Sequence, residues 1–165
     1  MRGVMIRADD WIPTIIPFIE EGKTVKIMPQ GFSMVPFITG GRDEVNLVQI
    51  KGELKRGDIV VYRRDNAIYV LHRVYKIKNG EYYMLGDAQT EVEGPLRREQ
   101  MIAKVESYYR KGKLIVCQSR REKFEYTLWF AIRPLRPLVI KMNNLKNKIL
   151  SKCSSEFLDM LKNNK

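Results

Sequence analysis

Apolar and polar residues alternate at every second position along much of this chain, the period expected when one face of a strand is buried. "KTVKIMP" at 23 to 29 places Val25 and Ile27 on one side, and "DEVNLVQI" at 43 to 50 does the same with Val45 and Leu47, Gln49 following in phase. Further strand patterns run through "DIVVYRR" at 58 to 64, "AIYVLHRVYKI" at 67 to 77, "EYYML" at 81 to 85, "MIAKVESYYR" at 101 to 110 and "KLIVCQS" at 113 to 119. Their β-branched and aromatic side chains suit a pleated, half-buried surface. Turn chemistry separates them: "TGGRD" at 39 to 43, "KRGD" at 55 to 58, "RDNA" at 64 to 67, "KNGE" at 78 to 81 and "RKGK" at 110 to 113. The Asn-Gly of "KNGE" signals a tight hairpin joining the strand that carries His72 to one ending at Leu85. Many short strands with little helix between them predict a mainly β, antiparallel domain.

Helical signals sit at the two ends. Asp9 or Asp10 as cap, Pro13 near the first turn and Gly22 as stop predict a short N-terminal helix. From about residue 122, "YTLWFAIRPLRPLVIKMNNLKNKIL" reads as amphipathic helical segments broken at Pro134 and Pro137. The chain thus divides into an N-terminal helical segment (1–24), a β domain (25–121) and a basic amphipathic C-terminal tail (122–165).

Composition changes this picture only in places. The 165 residues are 44% hydrophobic and 30% charged, which suits one folded domain with its own core and excludes wholesale disorder. Most of the net charge of +11 comes from residues 120 to 165. Such a tail suits an anionic lipid surface, nucleic acid or an acidic partner, or it is simply a solvated surface, and charge alone does not choose. Peripheral contact with an anionic membrane is the expectation carried forward, and no specific nucleic-acid site is expected. Cys117 and Cys153 lack metal-ligand spacing and read as reduced thiols, so neither a metal nor a cofactor is expected. The apolar runs "WIPTIIPFI" and "LWFAIRPLRPLVI" are interrupted and well short of the roughly 20 residues of a spanning helix. The expected location is the cytoplasm, extending to the inner face of the membrane.

Three residues could carry chemistry. Ser33 stands in a Gly-containing bend after a strand, where a side chain is presented rather than packed. His72 shares a strand face with Val70 and Val74, and Asp87 follows Gly86 one hairpin away. A hydroxyl nucleophile needs a base within hydrogen-bond reach, and the base benefits from a group that holds its tautomer. Each residue also has an ordinary reading: the serine ends a strand, the histidine is a core residue with a satisfied hydrogen bond, and Gly-Asp is a turn.

The order of several short segments resembles a known superfamily. "GFSMVPF" at 31 to 37, "LKRGDIVVYRR" at 54 to 64, "YVLHRVYKI" at 69 to 77, "YMLGDAQ" at 83 to 89 and "MIAKVESYYRKGK" at 101 to 113 follow one another as in the signal peptidase/LexA-like serine peptidases. The resemblance implies a coiled antiparallel β fold and a serine nucleophile with lysine or histidine as general base. "LHRV" resembles the histidine-using, endoplasmic-reticulum-type enzymes, in a soluble bacterial branch. By that resemblance Ser33 is the nucleophile, His72 the base and Asp87 the acidic partner. Gly31, Met34 and Pro36 contribute to substrate binding, and the residue before the scissile bond is small. Ala88 stands where such enzymes usually carry asparagine, and Glu91 and Glu93 occupy the neighbourhood of their second aspartate, so either is an alternative partner for His72. Gly31 supplies no hydroxyl, which leaves an oxyanion to backbone N–H groups such as that of Ser33.

The implied activity is serine endopeptidase cleavage of a precursor or leader peptide, rising through the ordinary histidine pKa of about 6.5. Two other readings compete. A degenerate peptidase fold could bind peptides or a membrane surface without cleaving. A self-cleaving regulator is disfavoured, because few residues precede Ser33 and the chain has no Ala-Gly or Cys-Gly pair.

Overall fold

Strand β3 (Ile59–Arg63) buries its first four residues on both faces, which requires a central position in the sheet. The computed structural model describes residues 8–133, and there the chain is mainly β: eight antiparallel strands and two α-helices. Helix α1 (Ala8–Glu20) leads into β1 (Val25–Ile27) and β2 (Glu44–Val48). After β3 come β4 (Tyr69–Lys78), β5 (Glu81–Leu85), β6 (Glu93–Leu96), β7 (Met101–Arg110), β8 (Lys113–Val116) and helix α2 (Arg120–Ala131). The strands lie in the order β1-β2-β7-β3-β4-β5-β6, with β8 paired to β7.

Each strand pattern read in the sequence matches one of these strands, β4 running one residue past its pattern to Lys78. The eighth, β6, has no alternation and carries Gly94 and Pro95. Proline cannot donate to a ladder, and β6 accordingly lies at an edge of the sheet, paired only through β5.

Helix α1 buries Ile12 and Ile19 and stops where Gly22 adopts φ +82°. The N–H of Gly22 bonds to Ile19 O (2.9 Å) and that of Lys23 to Phe18 O (3.0 Å), the paired bonds of a glycine C-cap. Helix α2 begins at the segment expected as a tail and packs: Tyr126 and Phe130 join the core, and Glu122 is fully buried. The segments around Pro134 and Pro137, with the remainder of the basic tail, lie outside the described residues.

Two apolar cores flank the sheet. One gathers Ile59, Val61 and Leu85 with Ile12 and Ile19 of α1, Phe130 of α2, and Met34, Phe37 and Ile38. The other gathers Val60, Tyr62, Val74, Met84, Leu96 and Met101. Among the described residues no helix is long and apolar enough to cross a membrane.

Candidate active site

Ser33 is presented by a loop whose stem closes too tightly at Gly40 for a side chain. Gly40 N–H bonds to Gly31 O (3.0 Å) and Gly41 N–H to Pro29 O (2.9 Å). A Cβ on Gly40 would stand 2.4 Å from Gly31 O, so only glycine fits there. Inside the loop Met34 O accepts from Phe37 N (3.0 Å) and Ile38 N (2.9 Å), and all three side chains are buried. These anchors leave Phe32 exposed and Ser33 partly buried. The N–H groups of Ser33 and Met34 have no acceptor among the described residues.

The loop is fastened to the turn after β5. Ser33 O accepts from Ala88 N (2.8 Å), and a Cβ on Gly86 would come within 2.8 Å of that oxygen. The glycine of "GD" thus permits Ser33 to approach. On its other side Ser33 borders a cavity of about 140 Å³, shared with Gly31, Met34, Ile38 and the β4 residues Tyr69, Val70 and Leu71. Those three residues lead directly into His72. Pro36, expected in the same wall, is exposed and outside this lining.

His72 is 2% exposed, opposite Val60 on β3 and diagonal to Tyr62, which pairs with Val70. Val70 and Val74 lie with Tyr62 on the same side of the sheet, as the period of two requires. Nδ1 of His72 is 3.0 Å from Tyr62 Oη, and that hydroxyl donates to Glu93 Oε2 at 2.8 Å. Arg64 grips Glu93 with two bonds, Nε to Oε1 at 2.7 Å and Nη2 to Oε2 at 2.6 Å. β3 and β6 are three places apart in the sheet, so the sheet must coil for Glu93 to reach Tyr62.

Burial pushes the His72 imidazole down to about 4, with Arg64 adding to the effect and Glu93 opposing it. That value lies below the ordinary histidine value of about 6.5, and the ring is neutral at any pH well above 4. Burial acts to raise Glu93, but the hydrogen bonds from Arg64 and Tyr62 outweigh it and hold the carboxyl below its ordinary value. Tyr62, raised by burial and by Glu93, stays a phenol. No hydrogen bond joins Ser33 Oγ to His72 among the described residues.

Asp87 does not hold His72, which corrects the sequence expectation. Its carboxylate accepts from Arg73 Nε and Nη2, both at 3.1 Å, and all of these atoms are buried. Arg73 also donates Nη1 to Glu122 Oε1 (2.5 Å) and to Gly57 O (2.9 Å), between the rings of Phe37 and Tyr126. The physical reason is the strand itself: successive side chains point to opposite faces, so Arg73 and its partners lie across β4 from the His72 ring. Burial disfavours the guanidinium charge, but Asp87 and Glu122 more than offset this and hold its pKa above the ordinary value. Of the alternatives, Glu91 is exposed, and Glu93 reaches His72 through Tyr62.

Tyr62, Arg64, Arg73 and Glu122 were missed in the sequence. The hairpin turn "RDNA" contained a signal for the first, because closing it pairs Tyr62 with Val70 and places a phenol diagonal to His72. A buried phenol normally finds a hydrogen-bond partner. The spacing Ser119 to Glu122, a helix-start signature, marked the beginning of α2: Glu122 N–H reaches Ser119 Oγ at 3.4 Å, and Glu122 Oε2 accepts from Gln118 N at 3.0 Å. Burial pushes the Cys117 thiol up to about 12, so it stays protonated at neutral pH. No protein-family model, curated protein or solved structure matches the chain.

Proposed function

We propose that this chain is a serine endopeptidase resembling the signal peptidases, hydrolysing a peptide bond of a precursor or leader peptide through Ser33 and His72. One juxtaposition carries the reading: Ser33, on a loop only glycines allow, borders a cavity with the three β4 residues that lead into a buried, neutral imidazole. A general base must be unprotonated before it can act, and burial provides that here. The distance between hydroxyl and ring is left to close in the substrate complex, where such hydrogen bonds commonly tighten.

In the proposed reaction Ser33 Oγ adds to the carbonyl carbon as its proton passes to His72. The oxyanion is met by the N–H groups of Ser33 and Met34, since Gly31 has no hydroxyl to offer. Collapse breaks the C–N bond, and His72 gives its proton to the leaving amine. Water then adds to the acyl-enzyme with His72 again as base, releasing the acid and restoring Ser33. The cavity of about 140 Å³, walled by Met34, Ile38 and Leu71, supports a small apolar residue before the scissile bond.

An active-site-directed fluorophosphonate should label the wild-type chain and leave Ser33→Ala unlabelled, and His72→Gln should slow labelling by roughly 10²- to 10⁴-fold. Equal labelling of Ser33→Ala would overturn the assignment. A second reading, a peptide-binding module on a degenerate peptidase fold, is favoured by the lack of a hydrogen bond between Ser33 and His72 among the described residues. It predicts peptide binding with no labelling of the wild type.

A further inference from the structure

The polar chain behind His72 admits one consistent placement of its protons. Glu93, gripped by Arg64 through both oxygens, is a carboxylate and has only lone pairs to offer. Tyr62 has a single hydroxyl proton, and at 2.8 Å from Glu93 Oε2 that proton is given to the carboxylate. Towards His72, 3.0 Å away, the phenol oxygen can then act only as an acceptor. Nδ1 must therefore carry the ring proton, and Nε2 must hold the lone pair. Among the described residues Nε2 has no hydrogen-bond partner, and it does not count among the fully buried, unpaired side-chain polar atoms, of which Tyr108 Oη on the other face is one.

We propose that Tyr62 and Glu93, supported by Arg64, are positioning residues that lock His72 in the Nδ1–H tautomer and so make Nε2 the proton acceptor of the site. An acidic residue beside a catalytic histidine normally sets the tautomer by direct contact. Here a neutral phenol transmits that choice from the carboxylate, and no negative charge touches the ring. Glu93 and Arg64 are the charged groups acting on it, while Arg73 turns to the other face. The catalytic consequence rests on the peptidase reading. The tautomer is a property of the chain whether or not it cleaves peptides.

The chain has one histidine, so ¹⁵N-histidine labelling reports a single ring. In the full-length wild type at neutral pH, long-range ¹H–¹⁵N correlation should show a protonated Nδ1 and an unprotonated, pyridine-like Nε2. Tyr62→Phe and Glu93→Gln should each move the ring toward a mixture of tautomers and slow fluorophosphonate labelling at least tenfold. A wild-type spectrum with the proton on Nε2 overturns the lock, and so does a folded Tyr62→Phe chain with an unchanged tautomer. A tautomer that shifts while labelling keeps its rate overturns the positioning role. If a variant does not fold, the wild-type spectrum still decides. Failure of the wild type to label would reject the peptidase reading and leave the tautomer result standing.

Discussion

A single hydrogen at Gly86 decides whether Ser33 can sit where it does. A methyl group there would stand 2.8 Å from Ser33 O, a backbone atom held in place by its bond from Ala88 N. Neither strand nor loop can yield by a rotamer change. Gly86→Ala should therefore shift the serine loop, cost about 1–3 kcal/mol of stability and slow probe labelling by roughly 10²-fold. Denaturant titration and labelling kinetics on the same sample check both effects. Unchanged labelling in a stably folded variant would show that the contact does not position the serine. A bend after a strand and a lone imidazole in a strand are local marks that made Ser33 and His72 candidates, and only the resemblance in the order of segments gave them roles. Tyr62 left only the hairpin register as a mark, because its role depends on which residue lies diagonally across the sheet.

Between elements, the buried cluster of Arg73, Asp87 and Glu122 ties β4 to the turn after β5 and to the first turn of α2. Trp129 on α2 adds a bond from Nε1 to Asp87 O (2.5 Å). Removing one partner from a buried ion pair strands the other charge and costs about 3–5 kcal/mol, whereas the intact cluster need not be strongly stabilising. Asp87→Asn should accordingly lower the unfolding free energy by an amount of that order, read by denaturant titration. Labelling per folded molecule should stay within about threefold of wild type. A large, selective loss of labelling with unchanged stability would restore Asp87 to the catalytic machinery. The sequence placed Asp87 one hairpin from His72 correctly, since Leu85 pairs with Arg73. Its partner depends on the strand's two-residue phase, which turns the neighbouring Arg73 toward it and His72 away.

Across the whole molecule, the site draws on both cores: Met34, Phe37 and Ile38 anchor the serine loop in one, and the His72 ring lies beside Tyr62 and Val60 of the other. Burying the imidazole couples it to folding. With a folded pKa of about 4 against an unfolded value near 6.5, the unfolded chain binds the extra proton between those limits. Stability from this group is fully present above about pH 6.5, falls as the pH drops and is lost by about pH 4, a change of about 3 kcal/mol. Unfolding titrations across that window should show this slope, and His72→Gln should flatten it. An equal slope in the variant would assign the acid sensitivity to other groups.

Local rules operate through neighbouring residues, and they were enough for seven of the strands and for the N-terminal helix with its glycine stop. Alternation, turn residues and caps are written into short stretches of chain. Strand β6 escaped because Gly94 and Pro95 erase the alternation, and only a vacant sheet edge makes a strand there tolerable. The link from Glu93 through Tyr62 to His72, the depressed imidazole pKa and the glycine contact behind Ser33 all depend on residues far apart in sequence meeting across a coiled sheet. Desolvation and hydrogen-bond partnership act through space, so they could be read only once Glu93 had been brought to Tyr62 and Arg73 had taken Asp87.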